Sequence, residues 1–411
     1  MFVEVSGGSR GSRWPVIAAF ALVGAATQVL WLTFAPVTTV AATHYGVSEN
    51  AIGWLANVFP LVYVVLAIPA GLFLDRWFRA ALITGAVLTA AGGLLRLVGD
   101  HYLWLLAGQT VVAIAQPLVL NAITGITGRY LTPKDRPAGI AIGTASTFAG
   151  MVAAFVLGAV LPHASQLGTL NAIGAWYAVI AALVLVVALR RPGEQRHAAP
   201  PAGLAALRSA WGDPFIRRLC ALVFMPFGVS VAMMTYTQAL LEPEGVSSDT
   251  ASLMLLFQVV AGVLGCLVIP IWAARNRREV LALLLAGLIS SGCCLVLAIA
   301  PGVGTGFATL TIIGLALLPA LPVVLGLAER RTGEAEGTAA ALIWLTGQLG
   351  GVLVATVVGL LVHHPTPAFL LMAVATLVAL PVALSLRGPV AALSDSAVPE
   401  QPLGRPRVLD N

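Results

Sequence analysis

Runs of about 20 apolar residues, each long enough to cross the roughly 30 Å hydrocarbon core of a bilayer as a helix, recur along almost the whole of this chain. They fall at 15–42, 51–74, 80–98, 102–128, 137–161, 171–189, 219–241, 249–272, 279–300, 304–328, 338–362 and 367–386. Only 9% of the 411 residues are charged and 59% are hydrophobic, whereas a soluble domain carries about 25% charged residues. The chain therefore reads as an all-α polytopic membrane protein of twelve spans, with the lipid bilayer as its first partner. Its formal charge of +5 does not point to nucleic acid, because the basic residues sit at helix ends and form no patch. Cys220, Cys266, Cys293 and Cys294 lie inside apolar runs, with neither disulfide nor metal-site spacing. With no nucleophile–base pair and no ligand cluster visible, neither an enzyme nor a cofactor is expected. Residues 1–14 lack the apolar core of a signal peptide and read as a tail.

The longest polar interruption, 190–218, divides the spans six and six. The expected organisation is a tail at 1–14, a six-helix bundle at 15–189, a linker at 190–218, a second six-helix bundle at 219–387 and a disordered tail at 388–411. An even number of spans places both termini on one side. Assigning the basic residues to that side gathers Arg10, Arg13, Arg76, Arg79, Arg129, Lys134, Arg136, the linker arginines, Arg275, Arg277, Arg278, Arg330 and Arg331, and leaves only Arg96 for the other. Such asymmetry predicts that the termini and linker are cytoplasmic. A monomer in the plasma membrane is expected.

The polar residues inside the spans mark where function would sit. In 108–150 the charges Arg129, Lys134, Asp135 and Arg136 are confined to a turn, while Gln116, Pro117 and Asn121 lie within the preceding span. A polar side chain at that depth must face protein or a water-filled cavity, since lipid offers no partner. At about 1.5 Å per residue, Trp31 stands roughly 24 Å along its span and Tyr236 at a similar height. Gln116 and Gln348 fall near the middle of theirs, with Gln28, Asn121, Gln238 and Trp344 as neighbours by helical spacing. Aromatic faces hold cations without a carboxylate, and amides can bind a hydroxyl or amine beside them. A tryptophan can also serve as an interface anchor and a glutamine as glue between helices; their spread over both halves favours a joint site for a small solute. No Asp, Glu, Lys or His lies at mid-depth, so gradient-driven movement is expected. The alternatives are a proton-coupled exporter using Asp75 or Glu329, and a transporter-like receptor that binds without translocating.

The turn GLFLDRWFR, with Gly71, Asp75, Arg76 and Arg79, resembles the Gly-x-x-x-Asp-Arg-x-Gly-Arg signature of the major facilitator superfamily, Phe78 replacing its second glycine. The resemblance implies two six-helix bundles related by a pseudo-two-fold axis along the membrane normal, a central cavity and alternating access. Asp75 would meet a helix N-terminus of the other half, and the arginines would answer the inner leaflet. The corresponding turn of the second half, 275–278, has no Asp, so the tie is expected to be one-sided. Gly139, Gly143, Gly262, Gly265, Gly347, Gly350 and Gly351 would let helices approach closely at the junction between halves. Pro226, Gly228, Pro319 and Pro322 would interrupt helices lining the cavity.

A narrower resemblance follows Trp31, Tyr45-Gly46-Val47, Trp54-Leu55, Pro69-Ala70, Asp75, Ala115-Gln116, and Glu334-Ala335-Glu336-Gly337-Thr338 leading to Gly347-Gln348. These residues resemble the feline leukaemia virus subgroup C receptor-related transporters, carriers of choline and ethanolamine. By this resemblance Trp31 is the cage tryptophan, and Gln116 and Gln348 are the substrate-facing glutamines. The family's cage tyrosine falls on Thr235, with Tyr236 beside it, and the glutamine before its tryptophan falls on Leu30, with Gln28 nearby. The short tails resemble those of a bacterial relative.

Overall fold

The computed structural model describes residues 11–191, 204–332 and 336–390, and all regular structure within them is helical. The first half comprises α1 (Trp14–Leu32), a 3-10 turn (Ala35–Val37), α2 (Thr38–Tyr45), α3 (Glu49–Leu95), α4 (Tyr102–Leu120), α5 (Ile123–Tyr130), α6 (Arg136–Val160) and α7 (Leu167–Ala188). A short helix, α8 (Leu204–Gly212), occupies the end of the linker. The second half comprises α9 (Pro214–Leu241), α10 (Ser248–Arg275), α11 (Glu279–Ile299), α12 (Val303–Leu317), α13 (Ala320–Thr332), α14 (Glu336–Leu360) and α15 (Pro365–Ser385). The tail expected to be disordered lies outside the described residues beyond Val390.

Eleven stretches among the described residues are long and apolar enough to cross a membrane, and one of them, Ala51–Leu95, runs for 45 residues. That length is about 68 Å of helix, more than twice the hydrocarbon thickness, so it supplies two spans and the total is twelve. The charged turn read between the second and third spans is one non-helical residue, Trp77 (φ −135°, ψ 56°), within otherwise continuous helix. Contacts with α4 show that the chain reverses there. Before Trp77, the Leu55 carbonyl accepts from Gln109 and Tyr63 bonds Asn121. After it, Gly85 abuts Leu118 and Gly92 abuts Gly108.

Helix pairing repeats between the halves. The first span packs on the fifth (α1 on α6, α9 on α14), the second on the fourth (α3 on α4, α10 on α12) and the third on the sixth (α3 on α7, α11 on α15). The halves meet along α3 against α14 and α6 against α10, the pair of seams a pseudo-two-fold arrangement requires. The face that carries α8 is here the linker face, and the other the far face. At the linker face α5 and α13 pack across the junction, whereas α2 and the 3-10 turns at Ala35–Val37, Ala164–Gln166 and Glu242–Glu244 pack on their own halves at the far face.

The glycines are placed differently from the reading above. A Cβ on Gly139 would strike Leu131, on Gly143 Ile123, on Gly262 Leu318, on Gly265 the Leu315 carbonyl, on Gly347 Phe227, on Gly350 the Phe224 carbonyl and on Gly351 Val231. All seven are contacts inside a half. The close approach across the junction is instead made by Gly71, whose Cβ would lie 2.8 Å from both the Ala341 Cβ and the Gly337 carbonyl. The tenth span does break, between Leu317 and Ala320, where Pro319 withholds an N–H. The seventh does not: α9 runs through Pro226, and Gly228 serves to bring α9 against the Gly350 carbonyl of α14.

Candidate functional site

Between the halves lies a cavity of about 130 Å³ lined from α1, α4, α6, α9, α11, α12, α13, α14 and α15. Trp31 and Gln28 reach it from α1, Gln116 from α4, and Gln348 and Trp344 from α14. Most of the remaining lining is apolar, with Thr147 and Ser230 as further polar groups and, among the described residues, no Asp, Glu, Lys, Arg or His. Those two hydroxyls are already engaged, Thr147 donating to the Thr144 carbonyl and Ser230 to that of Pro226. A cavity so built can bind by shape, by aromatic faces and by amides, and it holds no group that titrates near neutrality.

Each polar residue has a distinct status. The Trp31 indole N–H donates to the Ala56 carbonyl at 2.9 Å, and its ring stands 5.9 Å from that of Phe59. With the N–H committed to protein, what Trp31 can offer a ligand is its π face. Gln116 is 2% exposed and has no hydrogen-bond partner among the described residues; its amide opens onto the cavity. Gln348, half-buried, is likewise unpartnered. Gln28 donates to the Thr27 hydroxyl at 3.2 Å, while its carbonyl oxygen is buried without a donor. Trp344 lines the cavity from the linker-face half of α14, its ring 6.4 Å from Tyr63 of the first half and 6.0 Å, edge-on, from Phe227 of its own.

Asn121 and Tyr236 are not among the lining residues. Asn121 accepts from the Tyr63 hydroxyl at 2.6 Å and donates to the Ala67 carbonyl, so its amide ties α4 to α3 just where α4 gives way to α5. Tyr236 is half-buried, and its hydroxyl lies against Gly359. The Gln238 side chain lies outside the described residues. Sequence reading passed over Tyr63 and Phe227, because an aromatic residue in an apolar run carries no signal of which helix it will face.

Beneath the cavity the halves are tied at the linker face. Asp75 accepts from the backbone N–H groups of Gly337 at 2.7 Å and Thr338 at 3.0 Å, and from the Thr338 hydroxyl. A carboxylate at the first N–H groups of α14 satisfies unpaired donors and meets the positive end of the helix dipole. The second half has its own tie after all, built differently from the first. Arg136, opening α6, pairs with the buried Glu329 of α13 at 2.8 Å. Beside it Arg330 pairs with the buried Glu279 at 2.7 Å. Arg76 stacks over Trp77 at 4.7 Å, and Arg79 is exposed; neither enters the tie.

Known proteins give the arrangement its context. A family model described as Major Facilitator Superfamily matches residues 16–355. Solute carrier family 49 member A3 of Danio rerio is 25% identical over 83% of this chain and 77% of its own. Choline/ethanolamine transporter FLVCR1 of Felis catus is 25% identical over 86% of this chain and 69% of its own. The crystal structure of the human organic anion transporter MFSD10 (TETRAN) aligns with a TM-score of 0.75 at 16% identity, over 90% of this chain and 99% of that one. The transporter FucP in its outward conformation aligns with a TM-score of 0.74 at 18% identity, over 90% and 99%. At those identities the solved structures speak to the fold alone. With the repeated helix pairing, the central cavity and a family match over most of its length, the chain belongs to the major facilitator superfamily of membrane transporters and is related to proteins named as FLVCR choline/ethanolamine transporters and as solute carrier family 49 member A3.

Proposed function

We propose that the protein carries a small hydrophilic amine, of the choline or ethanolamine class, down its gradient by alternating access through this aromatic and amide pocket. The observation that carries the reading is Trp31: its N–H is tied to Ala56 and its ring lines a cavity that also receives the unpartnered amides of Gln116 and Gln348, one from each half. A π face attracts a quaternary or primary ammonium without a counter-charge. The amides can hydrogen-bond the substrate's hydroxyl and, in a primary amine, its ammonium N–H groups, and draw the halves together around it. The names of the relatives, choline/ethanolamine transporters among them, support the substrate class. With the basic linker face in the cytoplasm, the ties at Asp75 and Arg136 hold the halves together on the inner side.

The test is binding and transport by purified protein. A ligand at 100 times its dissociation constant adds about 2.7 kcal/mol of stability, so choline and ethanolamine should raise the melting temperature. Trp31→Ala should weaken binding about thirtyfold, the equivalent of a desolvated cation–π contact of about 2 kcal/mol. Trp31→Phe should retain much of it. Gln116→Ala or Gln348→Ala should hurt ethanolamine more than choline, whose trimethylated head cannot donate to an amide. If no amine stabilises the protein, or if Trp31→Leu binds as well as Trp31→Phe, the cation cage is wrong. In proteoliposomes, uptake should follow the solute gradient with or without a pH gradient. Accumulation only under an imposed proton gradient would favour the proton-coupled exporter. Against that alternative, Asp75 and Glu329 are held in the ties between halves and do not line the cavity.

A further inference from the structure

The first span breaks one residue past Trp31. α1 ends at Leu32, and the chain enters a 3-10 turn at Ala35 before resuming as α2. A helix that stops inside a membrane leaves its last carbonyls without intrahelical donors, and lipid cannot supply them. Side chains meet them here one by one. The Val29 carbonyl accepts from the Thr33 hydroxyl at 2.7 Å. The Leu30 carbonyl accepts from the Arg96 guanidinium at 3.2 Å. The Trp31 carbonyl accepts from the Gln109 amide at 3.3 Å, and the same amide donates to the Leu55 carbonyl at 3.0 Å.

Arg96 is otherwise unexplained. It is 2% exposed, its other terminal nitrogen donates to the Asn171 side-chain oxygen at 2.8 Å, and its charge centre lies 5.2 Å from the Phe34 ring. The Leu30 carbonyl, the Asn171 amide and the Phe34 ring around it are all neutral, and it is absent from the cavity lining. A buried cation without a carboxylate is costly, yet at a helix C-terminus it meets the negative end of the dipole. Gln109 is fully buried and is also absent from the lining.

We infer that Arg96 and Gln109 are positioning residues that set the orientation of the Trp31 ring in the cavity by clamping the broken end of α1, and so determine affinity for a cationic ligand without touching it. Arg96 holds the carbonyl before Trp31, Gln109 holds that of Trp31 itself, and Ala56 on α3 holds its indole N–H. Gln109 joins α1 to the same stretch of α3, residues 55 and 56, that fixes the indole. Backbone and ring are thus referred to one neighbouring helix, and a shift of α1 turns the π face away from the cavity. The role rests on the reading of Trp31 as the cation site.

Two measurements test the clamp. In the first, protein carrying fluorotryptophan is observed by fluorine NMR, with the Trp31 and Trp344 lines assigned through Trp31→Phe and Trp344→Phe. Arg96→Gln, and separately Gln109→Met in case the first variant fails to fold, should move or split the Trp31 line and leave that of Trp344 in place. An unmoved Trp31 line in the folded variants overturns the clamp whatever ligand the protein takes. In the second, choline affinity is measured in a double-mutant cycle. Arg96→Gln should weaken binding about tenfold in the parent and less than about twofold in a Trp31→Ala background, a coupling expected only of residues that act through one another. Equal losses in both backgrounds overturn the inference, because they mark general loosening of the fold. A displaced Trp31 line with unchanged choline affinity leaves the clamp standing and removes the cation cage itself.

Discussion

The sharpest test of the conformational balance is Asp75→Asn. The carboxylate accepts from two backbone N–H groups at the start of α14 and from the Thr338 hydroxyl, and it is half-buried. A hydrogen bond to a charged group contributes about 1.5–3 kcal/mol against about 0.5–1.5 for a neutral one, so losing the charge costs roughly 1 kcal/mol for each N–H. The dipole contact adds about 0.3–1 kcal/mol. Partial exposure screens the sum, leaving roughly 2 kcal/mol, which shifts the balance between linker-face-closed and linker-face-open forms about thirtyfold toward opening. Spin labels at Lys134 and Arg275, exposed positions of the two halves at the linker face, should report a longer distance in the variant. Labels at Ser165 and Glu244, exposed at the far face, should report a shorter one. Thr338→Val, which removes only the hydroxyl donor, should move both in the same direction by less. If the distance distributions of Asp75→Asn match those of the parent at both faces, the tie does not govern the equilibrium and the reasoning fails.

Other consequences follow from the same contacts. Arg330→Met leaves the buried Glu279 without its cation and should cost about 3 kcal/mol in unfolding free energy, largely recovered in the double variant Arg330→Met with Glu279→Leu; thermal or denaturant unfolding in detergent measures both. Gly71→Ala pushes a methyl against Ala341 and the Gly337 carbonyl across the junction, so it should favour the linker-face-open distances with little change in melting temperature. Gly350→Ala, whose methyl would collide with the Phe224 carbonyl inside one half, should instead lower yield and melting temperature. Since no lining residue among those described is ionisable, affinity for a quaternary amine should be flat between about pH 6 and 8, the range in which a histidine in the site would titrate; a bell or a step in that range would contradict it.

Much of this molecule is legible along the chain. Hydropathy decides how many times it crosses a bilayer, because each span must satisfy its own backbone and present an apolar surface, and both are properties of consecutive residues. The same locality makes Trp31, Gln116 and Gln348 stand out, as polar or amphipathic groups at depths where lipid gives them no partner. What a linear pattern lacks is the partner. Asn121 carries the same signal as Gln116, yet Tyr63 from α3 takes it up as a structural tie and leaves Gln116 facing the cavity. The glycines announce close approach without saying to what, and only the assembled halves show Gly71 at the junction and Gly350 within a bundle. Arg96 reads as a charge near a helix end and becomes the cap of a broken helix, because residues 30 and 96 are brought together by helices far apart in sequence. Depth and composition are set residue by residue, whereas the face a helix presents and the neighbour that answers it depend on how all the spans pack at once.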